Sequence, residues 1–248
     1  MQNQPSSLPK PVTEFWRPEW VGLPRLTPAR RMFRHFAQSM LWLIALFTMK
    51  STKKGMENFP KKGPALIIIN HLGDADAVLL GSCIPYPIDP LAKIELRGHP
   101  VVGGIFRAFG VIWIHRGRPD RKAIHAVLDG LAEGRVIGMA PEGRESVTGA
   151  LEDANDGAAF IALKSGVPIV PIVMTGTENK RIYGNMKKFK RTIVTLTVGK
   201  PFLLQASGDR RTRVPSCRRV RRSPDVCRRQ GFPTVKVTRV RLNFFMLP

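Results

Sequence analysis

Acidic residues are scarce in this chain, 18 Asp and Glu against 40 Lys and Arg, and cysteines number three. Cys83, Cys217 and Cys227 show no metal-ligand spacing. Neither a zinc site nor a disulfide framework is expected from them, and the redox setting reads as reducing or indifferent. A glycine-rich phosphate loop, an H-E-x-x-H pair, a carboxylate-rich metal cluster and an internal repeat are all missing, so no metal or cofactor is indicated. There are two tyrosines, and most Phe and Trp fall inside apolar runs. Stacking platforms for nucleic acid are therefore not expected, despite a net charge of +22. No apolar run approaches the ~20 residues that a membrane-spanning helix needs.

What is present fits one modest domain with extensions. At 248 residues and 43% hydrophobic content the chain can bury a sizeable core. Residues 1–30 are rich in proline and polar groups; Arg30, Arg31 and Arg34 then precede the apolar stretch 36–49. Residues 1–50 thus read as a membrane-associating region. Its helix is too short to span, and it suits an interfacial or re-entrant position with the arginines at the headgroups and Trp42 near the boundary. The alternative is a core helix of a soluble domain. A secretory signal is not expected, because Lys50, Lys53 and Lys54 follow without a small-residue cleavage site.

From Gly63 onward apolar runs alternate with helical stretches. Strands are expected at 65–69, 110–114, 135–139, 169–173 and 193–198, and helices at 74–84, 121–133 and 156–165. This is an α/β pattern over residues 51–204, closing near Pro201 and Phe202. Pro168 and Pro171 suggest that the fourth strand is an edge or irregular one. Residues 205–248 read as a basic, irregular tail: those after 213 hold nine Lys or Arg against Asp225, which leaves +14 of the +22 for residues 1–213. Pro215 breaks the polar helix that begins at Ser207. We hypothesise that the Arg-, Cys-, Pro- and Ser-rich composition after 213 arises from a G+C-rich coding sequence read in a shifted frame. The alternative frames of the coding DNA would then encode an amphipathic helix, and their failure to do so sinks the idea.

The chemistry centres on Asn70-His71-Leu72-Gly73-Asp74-Ala75-Asp76, directly after the first of these strands. A neutral imidazole takes a proton from a hydroxyl near pH 7, and a carboxylate on its other nitrogen fixes the tautomer. On a continuous helix a spacing of five would set the two side chains about 140° apart, so His71 belongs in a turn and Asp76 on the helix that follows. Three further blocks complete the pattern: residues 110–116, an apolar run ending in His115-Arg116; residues 139–146, Met-Ala-Pro-Glu-Gly-Arg-Glu-Ser; and residues 166–173, which carry the two prolines. Each candidate also has a plain structural reading. Arg116 sits in a basic cluster with His115, Arg118 and Arg121 that could be surface, and Glu142 could be a helix-start carboxylate. His35, His99, His115 and His125 show no partner pattern and read as structural or surface residues.

In order and spacing the four blocks, residues 64–178, resemble the signature of the glycerophospholipid acyltransferases, the family of the 1-acylglycerol-3-phosphate acyltransferases. The resemblance implies a mixed sheet flanked by helices, with no cofactor beyond the acyl thioester co-substrate. His71 would be the general base and Asp76 its orienter. Arg116 would bind the acceptor's phosphate, and Glu142 and Gly143 would line the acceptor site. Many relatives carry Thr-Arg after that glycine, where this chain has Arg144-Glu145; Arg144 could still reach the phosphate. Ala140 and Gly73 also depart, from Phe and from Ser or a similar polar residue. The implied reaction moves an acyl group from acyl-CoA or acyl carrier protein to a lysophospholipid, with lysophosphatidic acid the expected acceptor and another lysolipid or a glycolipid the alternative. An anionic membrane surface on the cytoplasmic face is the expected setting. An inactive lipid-binding relative is a third possibility, opposed by the intact His71 and Asp76, and a nucleic-acid-binding role is the most distant one.

Overall fold

The computed structural model describes residues 10–147, 154–206 and 233–237. Its elements in chain order are α1 (Pro28–Thr48), β1 (Met49–Lys54), β2 (Ala65–Ile69), α2 (Ala75–Cys83), β3 (Asp89–Lys93), α3 (Val102–Phe109), β4 (Ile112–Ile114), α4 (Arg121–Ala132), β5 (Val136–Met139), α5 (Gly157–Ser165), β6 (Ile169–Thr175), α6 (Asn179–Met186), β7 (Thr192–Val198), β8 (Leu203–Ala206) and β9 (Thr234–Val237). Seven strands form one sheet in the order β1-β7-β6-β2-β5-β3-β4, and β8 pairs with β9 separately. Within the larger sheet only the β6–β7 pairing is antiparallel. The α/β expectation of a mixed sheet flanked by helices holds.

The central strand β2 explains the layering. Ala65, Leu66, Ile67 and Ile68 are all buried, because side chains alternate between two covered faces. Ala65 and Ile67 join Ala45, Leu79, Val170 and Ile182 on the α1, α2 and α6 side. Leu66 and Ile68 meet Ala126, Leu131, Ile161 and Ala162 on the α4 and α5 side. The strand order therefore leaves the carboxyl ends of β2, β5, β3 and β4 on one rim.

Two expectations are corrected. The proline-bearing β6 is interior, between β7 and β2, so of the two expected readings the edge one is overturned and the irregular one stands. It tolerates Pro171 because the β7 ladder breaks there: Ile172 pairs with Val198 and Ile169 with Phe202, leaving one extra residue on the partner. Gly199 N donates to Pro171 O at 2.8 Å, on the side where the missing proline N–H would have pointed.

The second correction concerns α1. Thr27 caps it, accepting from Arg30 N at 3.3 Å, and Pro28 occupies its first turn, so the helix starts eight residues ahead of the apolar stretch. Arg34 is not at a headgroup position. It is buried, pairs with Asp89 at 2.8 Å, donates to Ile88 O and lies 4.8 Å over the Phe109 ring. With Gln38, which donates to Gly81 O and Ile84 O, and buried Ala45, it defines the inward stripe. Met32, Phe36, Met40, Leu43 and Phe47 form the opposite, exposed stripe. Among the described residues no helix is long and apolar enough to cross a membrane.

Candidate active site

Asn70 directly follows β2 and fixes the backbone ahead of His71. Its Nδ2 donates to Met174 O at 2.8 Å and its Oδ1 accepts from Met174 N at 2.7 Å, so the side chain prolongs the β2–β6 pairing. The chain then turns, and Asp76 occupies the second residue of α2, as the spacing requires. His71 Nδ1 lies 2.8 Å from Asp76 Oδ2, which also accepts from Leu72 N at 2.7 Å and Gly73 N at 3.1 Å. One buried carboxylate oxygen thus shapes the turn and holds the ring. Because that oxygen takes the Nδ1 proton, the lone pair is on Nε2, to which the described residues give no hydrogen bond. The His71 side chain is 32% exposed.

Burial works against the imidazolium, but the hydrogen bond and charge of Asp76, then the charges of Glu145 and Glu142, outweigh it and raise the His71 pKa above its ordinary value. Both glutamates come from the loop after β5. Gly143 there has φ +74°, open to glycine at little cost, and a Cβ on it would stand 2.8 Å from Asn155 Nδ2. Glu142 is buried, and its carbonyl accepts from Asn155. It starts no helix, since the next one begins at Gly157. Arg144 is half-buried beside it. Ser146 N donates to His71 O at 2.7 Å, tying this loop to the β2 turn.

Arg116 follows β4, three strands from β2, a lateral step of roughly 14 Å. Its Nη2 donates to Glu95 Oε1 at 3.0 Å and its backbone N to Thr13 Oγ1 at 2.8 Å. With Val12, Glu14, Phe15 and Glu95 it lines a cleft of about 260 Å³. The structure thus brings His71, Asp76, Glu142 and Gly143 into one cluster, with Arg116 farther along the same rim.

Sequence reasoning missed a second pair. His115 has a partner five residues on, Asp120, with Nδ1 2.6 Å from Oδ2. Its Nε2 accepts from Arg17 N at 2.9 Å, its ring stacks on Trp16 at 4.2 Å, and its side chain is fully enclosed. The structural reading of His115 holds; its partner, at the same H-x-x-x-x-D spacing, is what went unseen. Asn179, for which the sequence carries no signal, also reaches this cluster: its amide accepts from Asp74 N at 2.9 Å and donates to Glu145 Oε2 at 3.0 Å.

Residues 50–175 match the family model described as Acyltransferase. The chain belongs to the acyltransferase family. The 1-acyl-sn-glycerol-3-phosphate acyltransferase of Borreliella burgdorferi is 32% identical over 151 residues, 60% of this chain and 59% of that one. The lyso-ornithine lipid O-acyltransferase of Pseudomonas aeruginosa is 26% identical over 163 residues, 63% of this chain and 60% of that one. The chain therefore spans about three fifths of each relative's length. The crystal structure of the 1-acyl-sn-glycerophosphate acyltransferase PlsC from Thermotoga maritima shares the fold, with a TM-score of 0.57 at 24% identity over 72% of this chain and 73% of that one.

Proposed function

We propose that this acyltransferase carries an acyl group from an acyl thioester, on coenzyme A or acyl carrier protein, to the free hydroxyl of a lysophospholipid, with 1-acylglycerol-3-phosphate the preferred acceptor and phosphatidic acid the product. The observation that carries the proposal is the His71 Nε2, presented at the rim while Asp76 holds Nδ1 at 2.8 Å. The names of relatives such as the Borreliella burgdorferi enzyme support the acceptor.

Nε2 takes the hydroxyl proton as the acceptor oxygen bonds to the thioester carbonyl carbon. The tetrahedral species collapses with cleavage of the C–S bond, and the departing thiolate receives the proton back from the imidazolium. No covalent acyl-enzyme is required. Asp76 keeps the ring in the productive tautomer and stabilises its charged form. The Arg116 guanidinium, in its cleft, takes the acceptor's phosphate in exchange for Glu95, a task suited to its permanent charge and planar fork. Glu142, Gly143 and Arg144 line the acceptor's path.

The lipid substrates are met at an anionic membrane surface. The exposed stripe of α1 from Met32 to Phe47 enters the interface, and Lys50, Lys53 and Lys54, all exposed on β1, add about 1 kcal/mol each when close to the headgroups. A second reading of the acceptor follows from Glu145: a carboxylate acting on His71 suits a lysolipid whose headgroup bears an amine, and lyso-ornithine lipid is the acceptor in the name of the Pseudomonas aeruginosa relative.

The test is transfer of a labelled long-chain acyl group, from acyl-CoA and separately from acyl carrier protein, to lysophosphatidic acid and to lyso-ornithine lipid in liposomes, native protein beside His71→Ala. Phosphatidic acid formed by the native protein and lost in the variant supports the proposal. Product from the ornithine lipid alone overturns the preferred acceptor, and product from neither, with folded protein, overturns the reading.

A further inference from the structure

Asn179, at the start of α6, touches both loops that form the site. Its Oδ1 accepts from Asp74 N at 2.9 Å, in the turn that carries His71 and Asp76, and its Nδ2 donates to Glu145 Oε2 at 3.0 Å, in the loop after β5. The amide fits this position only because residue 73 has no side chain: a Cβ on Gly73 would stand 2.4 Å from Asn179 Oδ1 and 2.9 Å from Thr177 O. Both hydrogen bonds use the amide's two different ends, so neither a carboxylate nor a hydroxyl of similar size could replace it in kind. Tyr183, one turn later on α6, donates to Asp74 Oδ2 at 3.1 Å and fastens the same turn again.

We propose that Asn179 is a positioning residue for the acyl-transfer base: it clamps the His71 turn to the β5 loop and holds the Glu145 carboxylate where its charge acts on the imidazole. The charged groups that act on His71 are Asp76 from α2 and Glu145 and Glu142 from the β5 loop. Asp76 is fixed by three donors on its own turn. Among the described residues Glu145 has no such local anchor; its hydrogen bond is to α6, across the site. Asn179 therefore controls the adjustable part of the field at His71, and with it the pH above which the base is neutral. Gly73, whose missing side chain leaves room for the amide, and Glu145, which accepts from it, meet on this one residue. The Ser146 N–H on His71 O makes a second tie between the loops, so loss of Asn179 loosens the site without separating it.

This inference builds on His71 as the base, and its test separates the two. The imidazole of His71 is titrated by NMR of ¹⁵N-histidine-labelled protein in four forms: native, Asn179→Ala, Asn179→Asp and Glu145→Gln. Glu145→Gln keeps an acceptor for Asn179 Nδ2 but removes the charge. Asn179→Asp keeps an acceptor for Asp74 N but removes the donor and sets a carboxylate against Glu145. The expected result is a downward shift of the His71 midpoint in Asn179→Ala and Glu145→Gln, with the acidic limb of the kcat/KM profile moving the same way. For Asn179→Asp a several-fold fall in kcat is expected, with the KM for the thioester little changed. Unchanged His71 midpoints in both Asn179→Ala and Glu145→Gln, in protein with native thermal stability, overturn the proposal whether or not the chain transfers acyl groups. Activity of His71→Ala tests the base itself and leaves the titration result standing.

Discussion

Asp120 stands to His115 as Asp76 stands to His71: five residues on, after a strand, with a carboxylate oxygen 2.6 Å from Nδ1 in one pair and 2.8 Å in the other. The difference lies at the far nitrogen. Nε2 of His115 is occupied by Arg17 N–H inside the protein, whereas that of His71 opens to the rim. One sequence pattern thus yields a brace and a candidate base. His71→Ala is expected to lower acyl transfer by about 10²- to 10⁴-fold, the range for a positioned proton acceptor, with little change in melting temperature. His115→Ala is expected to do the reverse, losing on the order of 2–4 kcal/mol of stability through the cavity and the Arg17 N–H left without its acceptor. Assay and thermal melt of both variants check the pair, and equal behaviour of the two contradicts it.

The raised pKa of His71 has opposite consequences for stability and activity. In the folded protein the imidazole holds its proton to a higher pH than the unfolded value of about 6.5. Its contribution to stability is therefore full below that value and is lost as pH rises through the folded pKa. A base must be neutral, so kcat/KM should fall on the acid side with a midpoint above the ordinary imidazole value. Asp76→Asn, which keeps an acceptor but removes the largest favourable charge, should move that limb to lower pH while lowering the plateau. A native midpoint below the ordinary value would count against the geometry.

Gly73 is expected to refuse even the smallest side chain. Gly73→Ala places a methyl against Asn179 Oδ1 and Thr177 O, and overpacking of this kind costs about 1–3 kcal/mol. A drop in kcat larger than the loss of stability, read from steady-state kinetics beside a denaturant melt, identifies displacement of Asn179 as the cause.

The Arg34–Asp89 pair ties α1 to β3 in the interior, with burial raising the Asp89 pKa against the pull of Arg34 and Arg135. Removing one partner of a buried pair strands the other, so Arg34→Ala should cost about 3–5 kcal/mol. Arg34→Met with Asp89→Asn should recover much of that in urea melts. A single-variant loss under 1 kcal/mol would show that the pair is dispensable.

The outward stripe of α1 predicts a separation of membrane from chemistry. Phe36→Glu with Phe47→Glu should weaken co-sedimentation with vesicles of anionic phospholipid and lower turnover of vesicle-borne acceptor. Turnover of acceptor dissolved as detergent monomers should stay near native. Equal binding of both proteins to vesicles would remove α1 from the interface.

By itself the sequence determined the order of β2, α2, β4, α4, β5, α5, β6 and β7, because apolar runs of strand length alternating with helical stretches are local signals, and it located His71, Arg116 and Glu142 after strand ends for the same reason. The short elements β3, α3 and α6 were not legible, since their few residues carry no clear periodicity. Tertiary structure alone decided that Arg34 turns inward to Asp89, which is 55 residues away. It placed Pro171 of β6 in mid-sheet, because the ladder to β7 breaks opposite it. It also decided which of two identical His and Asp spacings has an open nitrogen, since only the packing of residues 13–17 over the β4 end fills one of them. Asn179 lies more than a hundred residues beyond His71, and hydrogen bonds across such a separation have no sequence periodicity to announce them.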